Sequence, residues 1–111
     1  VKGYVQVVTT VPTATEGAEL ARSIAGERLA AGIQIVGPIR SVYWWRGVLQ
    51  DVTEWQLVIL TTAAHFDDLE RHIKANHSYE TPEIIATDVV AGSAEYLRWI
   101  TDETRKTDAS S

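Results

Sequence analysis

Ile33-Gln34-Ile35-Val36-Gly37-Pro38-Ile39-Arg40-Ser41-Val42-Tyr43-Trp44-Trp45-Arg46-Gly47 is the stretch on which the fold turns. Its apolar period is two, and Ile33, Ile35, Ile39, Tyr43 and Trp45 fall on one face of a long strand. Gly37-Pro38 interrupts it. A proline cannot donate to a ladder, so it belongs at a bulge or on an edge strand. Arg46-Gly47 supplies a hairpin turn, and Val48 to Thr62 returns as an antiparallel arm with one buried face. Each arm, at about 14 residues, spans roughly 45 Å. A compact chain of this length is only about 34 Å across. The hairpin is therefore expected to overhang its own domain. Tyr43 and Trp45 load one face with apolar surface, and Val42 and Trp44 the other. A second chain would cover the face that the helices do not, which predicts a homo-oligomer. The alternative is a hairpin that bends at Pro38 and folds back on its own core.

On the N-terminal side, Gly3 to Thr10 reads as a buried strand and Pro12 ends it. Thr13-Ala14-Thr15-Glu16 offers a capping box, with Thr13 as cap and Glu16 reaching back. The helix behind it carries Ala18, Ala21, Ile24, Ala25 and Leu29 on one face, and Gly32 stands where a left-handed C-cap would fall. Beyond the hairpin, Phe66, Leu69 and Ile73 mark a second helix with Asp67 and Asp68 at its N-terminal end, closing near Asn76-His77-Ser78. Thr81-Pro82 forces an extended loop, and Glu83 to Val90 is a fourth strand. Ser93 caps a third helix with Tyr96, Leu97 and Ile100 inward. The order β-α-β-β-α-β plus one helix is an α+β, ferredoxin-like pattern with a long central hairpin. Residues 1–105 read as one domain, and residues 106–111 as a polar tail.

Composition narrows the function. Fifteen acidic against ten basic residues give a net charge of -5, which argues against nucleic acid and anionic membrane as partners. No apolar run approaches the ~20 residues of a membrane helix. Cysteine and methionine are both absent, which excludes thiol catalysis and every sulfur-ligated metal site. Without methionine, Val1 is not read as the natural start, and no signal-peptide pattern precedes Tyr4. A cytoplasmic location is expected.

Ser41-Val42-Tyr43-Trp44-Trp45-Arg46-Gly47, Glu54, His77-Ser78-Tyr79-Glu80-Thr81-Pro82-Glu83 and Gly92-Ser93-Ala94-Glu95-Tyr96-Leu97-Arg98-Trp99-Ile100 together resemble the CutA family of divalent-cation tolerance proteins, from about Tyr4 to Ile100. The resemblance implies a ferredoxin-like homotrimer locked by its hairpins, a cytoplasmic location in bacteria, and a role in tolerance of copper or other divalent metals. The chain also departs from the family. His77-Ser78-Tyr79 stands where H-P-Y is frequent, Leu60 replaces a basic residue, and Gly32, Thr9 and Asn76 occupy positions where relatives place cysteine or histidine. Any copper or zinc here would rest on imidazole and carboxylate alone.

Within the matching motifs the polar residues are the site candidates. His77 and Glu83 are the metal candidates. Tyr43, Glu54, His77 and Tyr79 are the candidates for acid–base chemistry on a small organic molecule, should the cleft be an enzyme's. Structural readings stand beside these: His77 on helix-terminal carbonyls, Tyr79 under Pro82, Glu54 paired with an arginine across the sheet. Asp68, His72 and His65 share a helical face at ligand spacing, and read as a solvated face. Trp44, Trp45 and Trp55 could stack a planar ligand or anchor an interface. A signalling module of the PII type shares the fold plan but needs a phosphate-cradling loop, and none is evident. No further cofactor is expected. The expected partners are the chain itself and a metal ion or small-molecule ligand.

Overall fold

The structure is a computed structural model that describes residues 3–104. The tail assigned to residues 106–111 lies outside the described residues. Alternation in β1 (Tyr4–Val11) sends Val5, Val7, Thr9 and Val11 to one face, all of them buried. They pair with Thr61, Ile59, Leu57 and Trp55 of β3 (Val48–Thr62). The helices α1 (Ala14–Gly26) and α2 (Phe66–Ala75) cover this face, and Leu20, Ile24, Leu69 and Ile73 complete the core. Each large aliphatic side chain buried there contributes about 1.5–3 kcal/mol. The antiparallel sheet has the order β2-β3-β1-β4, where β2 is Gly32–Trp45 and β4 is Ile85–Asp88. With α3 (Ala94–Glu103) added, this is the expected ferredoxin-like arrangement.

The third helix lies against the opposite face. Tyr4, on the side of β1 away from the core, bonds Thr101 at 2.5 Å, and the Trp99 ring lies against Gly32. Ser93 caps α3 by accepting from the Tyr96 N–H, and Leu97 and Ile100 are buried as expected. Tyr96 is not. It is exposed and packs against Trp99, three residues on, with ring centroids 5.2 Å apart.

The hairpin carries the main correction. Ile35 pairs with Leu57 and Val36 with Gln56, but Ile39 pairs with Glu54. One extra residue has entered β2 at Gly37-Pro38, as an edge strand with proline permits. An extra residue inverts the alternation. Ile33 and Ile35 therefore share the core face with Ile59 and Leu57, whereas Ile39, Tyr43 and Trp45 share the other face with Glu54, Gln50 and Val48. The single apolar face expected for all five does not exist. The turn at Arg46-Gly47 has two positive φ angles, 50° and 79°, matching the right-handed twist of its arms. The long axis of the described residues is 46 Å against 29 and 21 Å, so the hairpin does overhang.

Other local expectations shift by small amounts. Helix α1 closes four residues before the left-handed cap expected at Gly32. Arg28, at φ 57°, is the left-handed residue; its N–H bonds the Ala25 carbonyl, and the Leu29 N–H bonds Ile24. This is a Schellman closure with Leu29 over Ile24. Strand β4 covers half the expected span: Ile85 to Asp88 pair in register with β1, and beyond them the Val89 N–H bonds the Tyr4 carbonyl.

Candidate functional site

The segment after α2 reaches round the end of the sheet, and three long-range hydrogen-bond sets hold it there. The His77 ring is fully buried. Its Nε2 lies 2.7 Å from the Thr10 carbonyl oxygen, and its Nδ1 lies 3.0 Å from the Tyr79 N–H. A carbonyl only accepts and an amide N–H only donates, so the proton belongs on Nε2 and both nitrogens are engaged. Glu16 was expected to close a capping box. Thr13 does accept from the Glu16 N–H at 3.1 Å. The Glu16 carboxylate instead accepts from the Ser78 N–H and hydroxyl, at 3.1 and 2.9 Å, because two donors of the loop stand within its reach. Tyr79 then donates its hydroxyl to Glu54 Oε2 at 2.6 Å.

Burial, followed by the hydrogen bond and the negative charge of Glu54, pushes the Tyr79 phenol well above the usual tyrosine range. It therefore keeps its proton at neutral pH and acts as a donor, not a base. Glu54 is only 3% exposed, and among the described residues Tyr79 is the one hydrogen-bond partner of its carboxylate. The expected arginine partner across the sheet is absent there. Arg40 instead makes a bidentate pair with Asp51, both bonds 2.7 Å.

Between this loop and the hairpin lies a cleft of about 810 Å³. Tyr43, Trp45 and Glu54 line it from the hairpin, Tyr79, Glu80 and Glu83 from the loop, and Thr10 from β1. Arg46 stands at the mouth, 2.5 Å from a Glu80 carboxylate oxygen and with its guanidinium 5.1 Å from the Trp45 ring centroid. The structure thus brings Tyr43, Glu54, Tyr79 and Glu83 to one cavity. His77 lies behind it and positions Tyr79 without lining the cleft.

The metal candidates fit less well. Both His77 nitrogens are taken, and among the described residues no three His, Asp or Glu side chains are placed to hold a metal ion. The other two histidines are held elsewhere. His72 Nε2 bonds Ser23 of α1 at 2.6 Å, so it packs between helices and does not lie on the solvated face expected; His65 bonds Thr62 at 2.5 Å. Asp68 pairs with Arg71. Nor do the three tryptophans form one cluster. Trp55 covers Gly37, seven residues along β3 from the pair Trp45–Val48, or roughly 23 Å.

The chain is thus an α+β protein of the ferredoxin-like class, with an acidic, aromatic cleft between its long hairpin and its α2–β4 loop. Residues 5–103 match the family model of the CutA1 divalent ion tolerance protein, and the chain belongs to that family. It is 45% identical over 100 residues to the chloroplastic protein CutA 1 of Oryza sativa, covering 90% of this chain and 56% of that protein. The chain thus spans little more than half of that relative. It is 37% identical to the divalent-cation tolerance protein CutA of Thermus thermophilus over 98 residues, 88% of this chain and 95% of that one. The crystal structure of CutA1 from Oryza sativa superposes with a TM-score of 0.91 at 42% identity, covering 96% and 97% of the two chains. No helix among the described residues is long and apolar enough to cross a membrane.

Proposed function

We propose that this chain, as one domain, serves divalent-cation tolerance as a cytoplasmic homotrimer, with its ligand held in clefts between subunits. The observation that carries the assembly is the hairpin tip. Val42, Trp44, Val48 and Leu49 are each more than half exposed in the single chain, on an element that projects beyond its own core. An apolar surface of this kind is unstable in water unless another chain covers it. Cyclic assembly places one hairpin on the next and brings more than one cleft edge together. Shared clefts also bear on the metal. One chain offers no three-ligand cluster among its described residues and no sulfur anywhere, so a divalent ion such as copper or zinc would draw imidazole or carboxylate ligands from neighbouring subunits. Glu83, exposed at the cleft, is better placed for this than His77.

Native mass spectrometry tests the assembly. The expected species has three times the 12.3 kDa chain mass, and Trp44→Asp shifts it toward monomer. A monomer at micromolar concentration in the parent protein overturns the proposal. Titration of the same species with Cu(II) and Zn(II) tests the metal, with binding stoichiometry as the readout.

A further inference from the structure

The cleft is poor in metal geometry yet rich in another kind of cation recognition. Glu54 is 97% buried by its 3% exposure, and one of its carboxylate oxygens already accepts from Tyr79. The second oxygen has no hydrogen-bond partner among the described residues, although the side chain lines the cavity. The rest of the side chain is buried while this oxygen opens onto the cleft, where a charged donor can meet it. Tyr43, Trp45 and Tyr79 put aromatic rings around the same space, and ring faces attract cations.

Arg46, the one basic residue lining the cleft among the described residues, does not reverse this sign. Arg46 is spent on Glu80, and its guanidinium sits over Trp45. Glu54 and Glu83 remain as net negative charge. An anionic ligand would meet two carboxylates and an occupied arginine. A bare divalent ion would find one oriented carboxylate where it needs several converging ligands. An organic ammonium needs only one carboxylate acceptor and apolar or aromatic walls. At about 810 Å³ the cleft also has the size of small-molecule sites and exceeds what a naked ion requires.

We infer that this cleft binds a small organic molecule bearing a primary ammonium group, which donates to the free oxygen of Glu54 while its carbon chain lies against Tyr43, Trp45 and Tyr79. A primary ammonium is specified because a quaternary one offers no N–H to that oxygen. The inference rests on the cleft being a ligand site, as proposed above, and replaces the metal by an amine as the molecule that enters it.

Calorimetric titration of the full chain in its native assembly state tests this with 1,4-diaminobutane, butylamine, tetramethylammonium, 1-butanol and butyrate as probes, and with Cu(II) and Zn(II) run in parallel. The expected result is binding of the two primary amines, with tetramethylammonium weaker and butanol and butyrate showing none. Glu54→Gln preserves shape and the acceptor for Tyr79, and should weaken amine binding by about tenfold or more, the scale of a charge-assisted hydrogen bond. Glu83→Gln, at an exposed position, should weaken it by no more than a few-fold. The inference is overturned if butanol binds as well as butylamine, if Glu54→Gln binds amines like the parent, or if no amine binds at millimolar concentration. Metal binding without amine binding defeats this inference and leaves the proposed function standing. Amine binding by a chain that proves monomeric does the reverse.

Discussion

Tyr79→Phe isolates one hydrogen bond at the centre of the cleft. Phenylalanine keeps the ring and its packing against His77, whose centroid is 5.0 Å away. Only the hydroxyl is lost. That hydroxyl donates at 2.6 Å to a carboxylate that is 3% exposed and has no other described hydrogen-bond partner. Hydrogen bonds to charged groups contribute about 1.5–3 kcal/mol, and an orphaned buried acceptor loses that amount or more. Glu54 also borders the cleft, so water can reach it in part once the hydroxyl is gone, which holds the loss to about 2 kcal/mol. Urea unfolding followed by tryptophan fluorescence measures it, with parent and variant at one protein concentration because assembly is linked to stability. A cycle with Glu54→Ala, which removes the acceptor, should give a coupling of about 1–2 kcal/mol, since the two side chains share the bond. A variant within about 0.5 kcal/mol of the parent, or strictly additive single changes, would refute the reasoning. Glu54 would then be solvated well enough not to need the phenol.

The same pair predicts an alkaline limit. The native fold raises the Tyr79 pKa, so its stabilising contribution is complete below the unfolded tyrosine value of about 10 and is lost as pH rises toward the folded value. The parent should lose stability above pH 10 more steeply than Tyr79→Phe in matched unfolding curves, and parallel curves would contradict this. Thr9 Oγ1 is buried without a hydrogen-bond partner among the described residues. Thr9→Val should therefore stabilise by about 1 kcal/mol in the same assay, and a loss would show that the hydroxyl has a partner. A Cβ built on Gly37 stands 2.3 Å from Cδ1 of Trp55. Gly37→Ala should cost about 1–3 kcal/mol by overpacking and shift tryptophan emission, whereas an unchanged spectrum and stability would mean that the ring moves freely.

What was legible in the sequence is what short-range physics writes into it. The two hairpin arms, the stripe of Phe66, Leu69 and Ile73, and the caps at Thr13 and Ser93 depend on residues a few positions apart, and each appears where periodicity and capping chemistry put it. The bulge was visible in Gly37-Pro38, but not its consequence. Whether one residue or none is inserted depends on pairing with β3, and that pairing moved Tyr43 to the face of Glu54. The membership of the cleft was half legible, because Tyr43, Glu54, Tyr79 and Glu83 stood out as polar positions within apolar motifs. The partners that define their chemistry did not stand out. Glu16 meets Ser78 across 62 positions, His77 meets Thr10 across 67, and Arg46 meets Glu80 across 34. Pairs so far apart leave no periodic mark on the chain, so the sequence by itself determined the elements and their order. The tertiary structure alone decided that His77 spends both nitrogens on the backbone while Glu54 keeps one oxygen open to the cleft. The reason is that a side chain's free donors and acceptors are known only once its neighbours in space have been subtracted.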